Sequence, residues 1–227
     1  MSYSLNRDGA KQANVKFGGN IDKNGDYTLK IERAVWVSGQ APKQSRGLSI
    51  HFIDADKNKA KIDLWFQKAD GGRNDMSANM LDGIMTCLGL QNLTEKPMQI
   101  KEYDNKAGHD VTKDVVACPE LAGKPLGVLI QIETDAYVKD GETKTIDKPT
   151  IYAVYQYKTN LTPSEILSGT TVANEVKKLN TLLEAAKPRF TKDYRNLMNG
   201  SNQQSGGYGA PAVNNQQQSQ EIDELPF

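Results

Sequence analysis

Four side chains in this sequence could ligate a transition metal or act as a strong nucleophile or base: His51, Cys87, His109 and Cys118. No two of them lie two to five residues apart, the spacing that lets one turn present a pair of ligands to zinc. Cys87 also falls on an apolar helical stripe, where a free cysteine behaves as a small hydrophobe. Asp54, Asp56, Asp63, Asp70 and Asp75 are numerous enough for a metal-dependent nuclease. Three of them, Asp54, Asp56 and Asp70, sit in turns, where aspartate bonds its own backbone. The chain has no P-loop, nucleophile elbow or dinucleotide fingerprint, and Gly18-Gly19, Gly71-Gly72 and Gly206-Gly207 lack the strand-to-helix setting of a phosphate cradle. The residues read as a non-enzyme with no metal and no other cofactor.

Binding chemistry is better supplied. In Lys61-Ile62-Asp63-Leu64-Trp65-Phe66, strand alternation puts Ile62, Leu64 and Phe66 on one face and Lys61, Asp63 and Trp65 on the other. In the strand from Tyr27, the residues Tyr27, Leu29 and Ile31 point one way. Trp36 then falls with Lys30 on the opposite face, unless a bulge near Arg33-Ala34 intervenes. Two indoles on a polar face with lysines suit unpaired bases, because every base has a π-face and each stack is worth about 1–3 kcal/mol. Lys and Arg beside the rings would follow the phosphates. The basic loop Ser38–Gly47, with Lys43 and Arg46, and the Lys-rich loop Lys139–Pro149 would form the rims. The candidate nucleic-acid contacts are therefore Trp36, Lys43, Arg46, Lys61, Trp65 and Lys30. The competing reading of each Trp is core packing, since Trp is usually well buried. Tyr152, Tyr155 and Tyr157 occur in both registers, so at least one faces outward.

A second binding element is the segment Glu221-Ile222-Asp223-Glu224-Leu225-Pro226-Phe227. It follows a stretch, Asn199–Gln220, with no Lys, Arg, Asp or Glu. Such a stretch cannot bury enough apolar surface to offset the entropy of ordering it, and is expected to be a disordered tether. Acids ahead of Leu, Pro and an aromatic ring suit a pocket with an apolar floor and a basic rim. Asp223, Glu224, Leu225, Pro226 and Phe227 are the candidate partner-docking residues. The alternative is a frayed end whose acids only aid solubility.

The elements that must position these groups follow from periodicity. Tyr27–Val37 reads as a long strand, Leu48–Ile53 as a second and Lys61–Phe66 as a third, the last two joined by the polar turn Asp54–Lys59. Met76, Met80, Ile84, Cys87 and Leu88 fall at helical spacing, with Asn74 or Asp75 to start the helix and Gly89 to end it. Met98–Tyr103 precedes an irregular stretch through Pro119, after which Leu126–Ile132 and Ile151–Tyr157 read as strands. Thr162-Pro163-Ser164-Glu165 opens a short helix with a capping box, and a longer helix runs over 171–186. The expected architecture is mainly β with helices: an OB-like Greek-key barrel of five or six strands, an intercalated helix, a C-terminal helical segment and a disordered tail. A flat α+β sheet is the structural alternative. The domains are 1–160 for the OB-like body, 161–198 for a helical extension packed on it or at a homodimer contact, 199–220 for the linker and 221–227 for the tip.

Charge sharpens the division. All 28 Lys and Arg precede residue 199, while Glu221, Asp223 and Glu224 lie in the tip. The remaining 25 acids leave the body at +3, so the formal net charge of zero hides a basic body and an acidic end. Two cysteines give no disulfide framework, no run of 18 apolar residues spans a membrane, and Met1–Asp8 lacks the apolar core of a signal peptide. The expected location is the cytoplasm.

These features together resemble single-stranded DNA-binding proteins of the bacterial and bacteriophage kind. Bacterial members end in a Gln/Gly/Asn/Pro-rich linker and an acidic tip closing in Pro-Phe. Here Gly206–Pro211 and Asn214–Gln220 resemble the linker, and Asp223–Phe227 resembles the tip. No block of the bacterial OB domain is matched, and the layout from Gly25 to Leu90 is similar to phage-encoded proteins of the same role. The tip departs from the usual run of three Asp, since Ile222 interrupts Glu221, Asp223 and Glu224. The resemblance implies coating of single-stranded DNA in replication, recombination and repair. It also implies recruitment of a polymerase, helicase, nuclease or recombination mediator through the tip, in a bacterial cytosol or a phage-infected host. A rival class is a protein-binding scaffold carrying a mimic of the docking peptide; a nuclease is a third.

Overall fold

The computed structural model describes residues 18–41, 44–104 and 107–200. Its first strand, β1 (Gly25–Ser38), organises the rest. Leu29 and Ile31 point inward and are fully buried, as their alternation requires. Between Ile31 and Arg33 the register against β2 (Arg46–Ile53) shifts, which marks a bulge at Glu32. Beyond it the inward positions become Ala34 and Trp36. A bulge also bends its strand, and β1 pairs with three others. Gly25–Lys30 pairs with Pro125–Ile130 of β6 (Pro125–Lys139), and Lys30–Ser38 pairs with β2.

β2 turns into β3 (Lys59–Gln67) through Asp54, whose carboxylate accepts the Asn58 backbone N–H at 2.8 Å and the Asn58 side-chain amide at 2.8 Å. Helix α1 (Asp75–Leu88) follows and ends at Gly89, held at φ 65°, with Ala78, Leu81, Ile84 and Cys87 buried. That left-handed residue lets its own N–H and the next reach back to the last carbonyls. β4 (Lys96–Asp104) and β5 (His109–Ala117) form a hairpin joined to β1 through the Val35–Ala117 pair. β6 and β7 (Glu142–Tyr155) make a long second hairpin. After them come α2 (Pro163–Leu167), α3 (Glu175–Glu184), the short β8 (Arg189–Phe190) parallel to β6, and α4 (Lys192–Gly200).

The eight strands form one open, mainly antiparallel sheet, with path β3-β2-β1-β5-β4 and β6 branching from β1 to β7 and β8. β3 lies close to β7, but no ladder joins them. The main core unites Leu29 and Ile31 with Leu48, Ile50 and Phe52 of β2, Leu126, Val128 and Ile130 of β6, and Ile84 of α1. A smaller cluster puts Leu183 of α3 on Leu129 and Tyr155. A Cβ at Gly127 would lie 2.0 Å from the Tyr155 ring, so glycine there is what lets the ring lie against β6.

Glu165 fixes the helical segment. Its carboxylate bonds the N–H groups of Thr162 (3.0 Å), Asn174 (2.7 Å) and Glu175 (3.0 Å), and so serves the starts of α2 and α3 together. Burial alone would push its pKa up, but these donors hold it below the usual carboxylate range.

Three expectations are corrected. The sheet has eight strands among the described residues, not five or six. The stretch after Tyr103 is not irregular to Pro119, because β5 occupies most of it; its apolar alternation, Val111 and Val115, is broken by Lys113 on the same face. The Lys-rich segment 139–149 is not a loop, since β6 and β7 continue to a two-residue turn. Asp140 and Gly141, at φ 56° and 79°, form the type I′ turn that Asp-Gly favours in hairpins.

Candidate functional site

The bulge decides which aromatic faces what. Trp36 lies on the core side, its ring edge-on to Phe66 at 5.9 Å between centroids and its indole N–H donating to the Thr94 carbonyl at 3.1 Å. The expectation that Trp36 shares a polar face with Lys30 is thereby corrected: one extra residue at Glu32 inverts the alternation beyond it. Arg46 stands 5.7 Å above the Trp36 ring centroid and is paired with Glu95. These residues, with Phe66, Leu81, Met85 and Leu93, line an open cleft of about 430 Å³ between β3, α1 and the segment after α1.

The opposite face of β1, β2 and β3 carries a different set. Cross-strand register places Lys30, Ile53 and Lys59 in one row and Arg33, His51 and Lys61 in the next. The third row is Val35, Ser49 and Asp63, and Val37 with Gly47 leads to Trp65. Lys30, Lys59, Lys61 and Asp63 are exposed and Trp65 is partly exposed. A Cβ at Gly47 would lie 2.9 Å from the Leu64 carbonyl oxygen and 3.0 Å from Trp65 Cε3, so the missing side chain lets the indole rest on β2.

Of the sequence-predicted contacts, Lys30, Lys61 and Trp65 come together on this outer face, while Trp36 and Arg46 share the cleft. Lys43 lies outside the described residues, as do Asp223, Glu224, Leu225, Pro226 and Phe227.

Charged groups that sequence reading missed complete the outer face. Arg33 Nη2 lies 3.3 Å from Glu102 Oε1, and Lys113 Nζ lies 3.0 Å from Glu102 Oε2, so the β4–β5 hairpin is tied to β1 across the sheet edge. The Lys113 hydrogen bond, with the charges of Lys113 and Arg33, holds the Glu102 carboxyl below its ordinary range. Lys59 pairs with Glu32 at 3.8 Å. Burial lowers His51 to about 4, with Arg33 and Lys61 adding repulsion, so the ring is neutral at pH 7. Arg33 Nε and Ser49 Oγ are buried without a hydrogen-bond partner among the described residues. The alternation of Leu48–Ile53 already puts Ser49 and His51 opposite the apolar positions; Glu102 and Lys113 needed the unseen hairpin.

Burial pushes the thiols of Cys87 and Cys118 up to about 12, so neither is a thiolate near neutral pH. Among the described residues no group of three or more His, Cys, Asp or Glu is gathered as a metal site requires. Among the same residues no helix is long and apolar enough to cross a membrane. No protein-family model matches the chain, and no curated protein matches its sequence.

Proposed function

We propose that this chain binds single-stranded DNA without sequence preference on the outer face of β1–β3, and recruits partner proteins through residues 221–227. The observation that carries this reading is the gathering of Lys30, Lys59, Lys61 and Arg33 on one face with Trp65 at its end. Lysines supply charge along a sugar–phosphate backbone, and the indole supplies a stacking surface that accepts any base. The OB-like reading of the body belongs with it. Its support is the shared β1, the helix between β3 and the later strands, and the approach of β3 to β7. In OB folds the face of the second and third strands takes oligonucleotides. The β6–β7 arm, with Lys139, Lys144 and Lys148, would flank the path, and the roles in replication, recombination and repair follow from the resemblance of the tip.

Titration of a labelled oligothymidine at two ionic strengths tests this. Affinity should fall as salt rises, with a log–log slope of about −0.7 per phosphate neutralised. Deleting 221–227 should leave or raise that affinity while abolishing capture of partner proteins. Absence of binding at low salt would remove the proposal. It would favour the rival scaffold reading, for which the apolar cleft around Trp36 and Phe66 is the supporting observation. Cleavage of the oligonucleotide with Mg²⁺ would instead favour a nuclease.

A further inference from the structure

Arg33 is bound incompletely. Its guanidinium meets Glu102 through Nη2 alone, at 3.3 Å, although carboxylates commonly take two donors of the arginine fork. Nε, the other donor on that side, is buried and unpartnered among the described residues, as is the Ser49 hydroxyl one row along the same face. A buried donor left empty forfeits its hydration without compensation, so the arrangement favours a ligand with more oxygens than Glu102 presents. Lys113 approaches the same carboxylate from the hairpin at 3.0 Å. The site is open to solvent on the hairpin side: the side chains of Arg33, Glu102 and Lys113 are 24%, 36% and 45% exposed.

We propose that Arg33 and Lys113, with the Ser49 hydroxyl, form a phosphate-binding position on the outer face, and that Glu102 occupies it as a competing anion in the free chain. A tetrahedral phosphate can take Nε and Nη2 of Arg33 together while a further oxygen faces Lys113, which a planar carboxylate on a fixed strand does not do here. The surrounding charges suit the exchange. Lys61 and the neutral His51 lie in the same row as Arg33, Glu32 is engaged with Lys59, and Asp63 sits one row away on β3. Displacing Glu102 also frees the β4–β5 hairpin from Arg33, so strand binding and hairpin position are coupled. The phosphate is taken to be a phosphodiester of a bound strand, a step that rests on the proposed function.

Two ligands separate the proposals in the full chain. Inorganic phosphate, followed by NMR on the two histidine rings, should shift His51, in the row of Arg33, more than His109, at the far end of the hairpin. Oligothymidine should bind Glu102→Gln about 3- to 10-fold more tightly than the unaltered chain at low salt, and Lys113→Ala more weakly by a similar factor. Because Glu102→Gln could loosen the hairpin, the far-ultraviolet circular dichroism of each variant is compared with the parent. Phosphate that shifts His51 in a chain that does not bind oligothymidine keeps the anion position and removes the single-strand reading. Oligothymidine binding that is equal in Glu102→Gln, Lys113→Ala and the parent, with His51 unmoved by phosphate, overturns the position and leaves the single-strand reading standing.

Discussion

The two tryptophans occupy similar chemical settings on opposite sides of the same three strands. Trp36 has Arg46 above its ring, Glu95 beyond and Phe66 against its edge. Trp65 shares its face with Lys61 and Asp63 and lies on Gly47. What separates them is one bulged residue and one absent side chain. The bulge at Glu32 turns Trp36 toward the core, where Thr94 satisfies its N–H; Gly47 keeps the opposite surface low enough for Trp65 to lie across β2. An aromatic in a strand becomes core or platform through its neighbours on adjacent strands, not through its own identity. On the proposed reading the cleft is a packing feature and the outer face is the surface that meets an extended ligand.

Trp36→Ala tests that division most severely. Removing a ring that packs on Phe66 and the core margin should lower the unfolding free energy by about 3 kcal/mol. Urea unfolding reads the loss, and oligothymidine affinity, measured well below the transition, should stay within about twofold of the parent. A variant that kept its stability but lost the oligonucleotide would put the strand path in the cleft.

Trp65→Ala should show the opposite pattern. Loss of one stacking surface costs about 1–3 kcal/mol of binding, roughly a 5- to 150-fold weaker oligothymidine complex. Stability should change by about 1 kcal/mol or less, because the indole is partly exposed and covers a glycine. Gly47→Ala offers a second route with a cost in stability, since the added methyl crowds both Cε3 and the Leu64 carbonyl oxygen and should push the ring off β2 with part of the same binding loss. Unchanged binding in both variants would erase the distinction between the faces.

Much of this arrangement could be read from the residues. The hairpin of β2 and β3, helix α1 with Gly89 at its end, and the capping box at Thr162–Glu165 follow from alternation, helical spacing and cap chemistry, which act over a few residues. Lys61 and Trp65 were placed together by the same local rule. Trp36 was not, because a bulge is decided by how β1 meets two partners, and only a reading that admitted the bulge kept the core outcome open. The Asp140-Gly141 turn was visible as a dipeptide but was swallowed by the lysines around it. Glu102 and Lys113 were hidden for a deeper reason. Their roles depend on the pairing of two strands whose shared face mixes Met98, Ile100, Val111 and Val115 with these charges, and on the contact of that hairpin with Arg33, 69 residues from Glu102 in sequence.

The smallest expected effect concerns acid. His51 stands on the outer face, half-buried beside Arg33 and Lys61, and its folded pKa of about 4 lies below the ordinary 6.5. Below pH 6.5 the unfolded chain takes up a proton that the folded chain refuses, so stability is complete above 6.5 and declines as the pH falls toward 4. Solvent screening of a half-exposed ring keeps the loss on the order of 1 kcal/mol. Glu102 and Glu165 are also lowered, but from an ordinary carboxylate value that already lies below that of histidine, so their contribution is lost only at lower pH and leaves the window from 6.5 to 5 to the histidine. In that window His51→Gln should flatten the dependence of Tm on pH, whereas a substitution in the cleft such as Met85→Leu should leave it unchanged, because the cleft residues include no histidine. Parallel curves for His51→Gln and the parent between pH 6.5 and 5 would mean that the outer face is open enough to solvate the imidazolium fully. The row of Arg33, His51 and Lys61 would then be a surface stripe and not a partly closed groove.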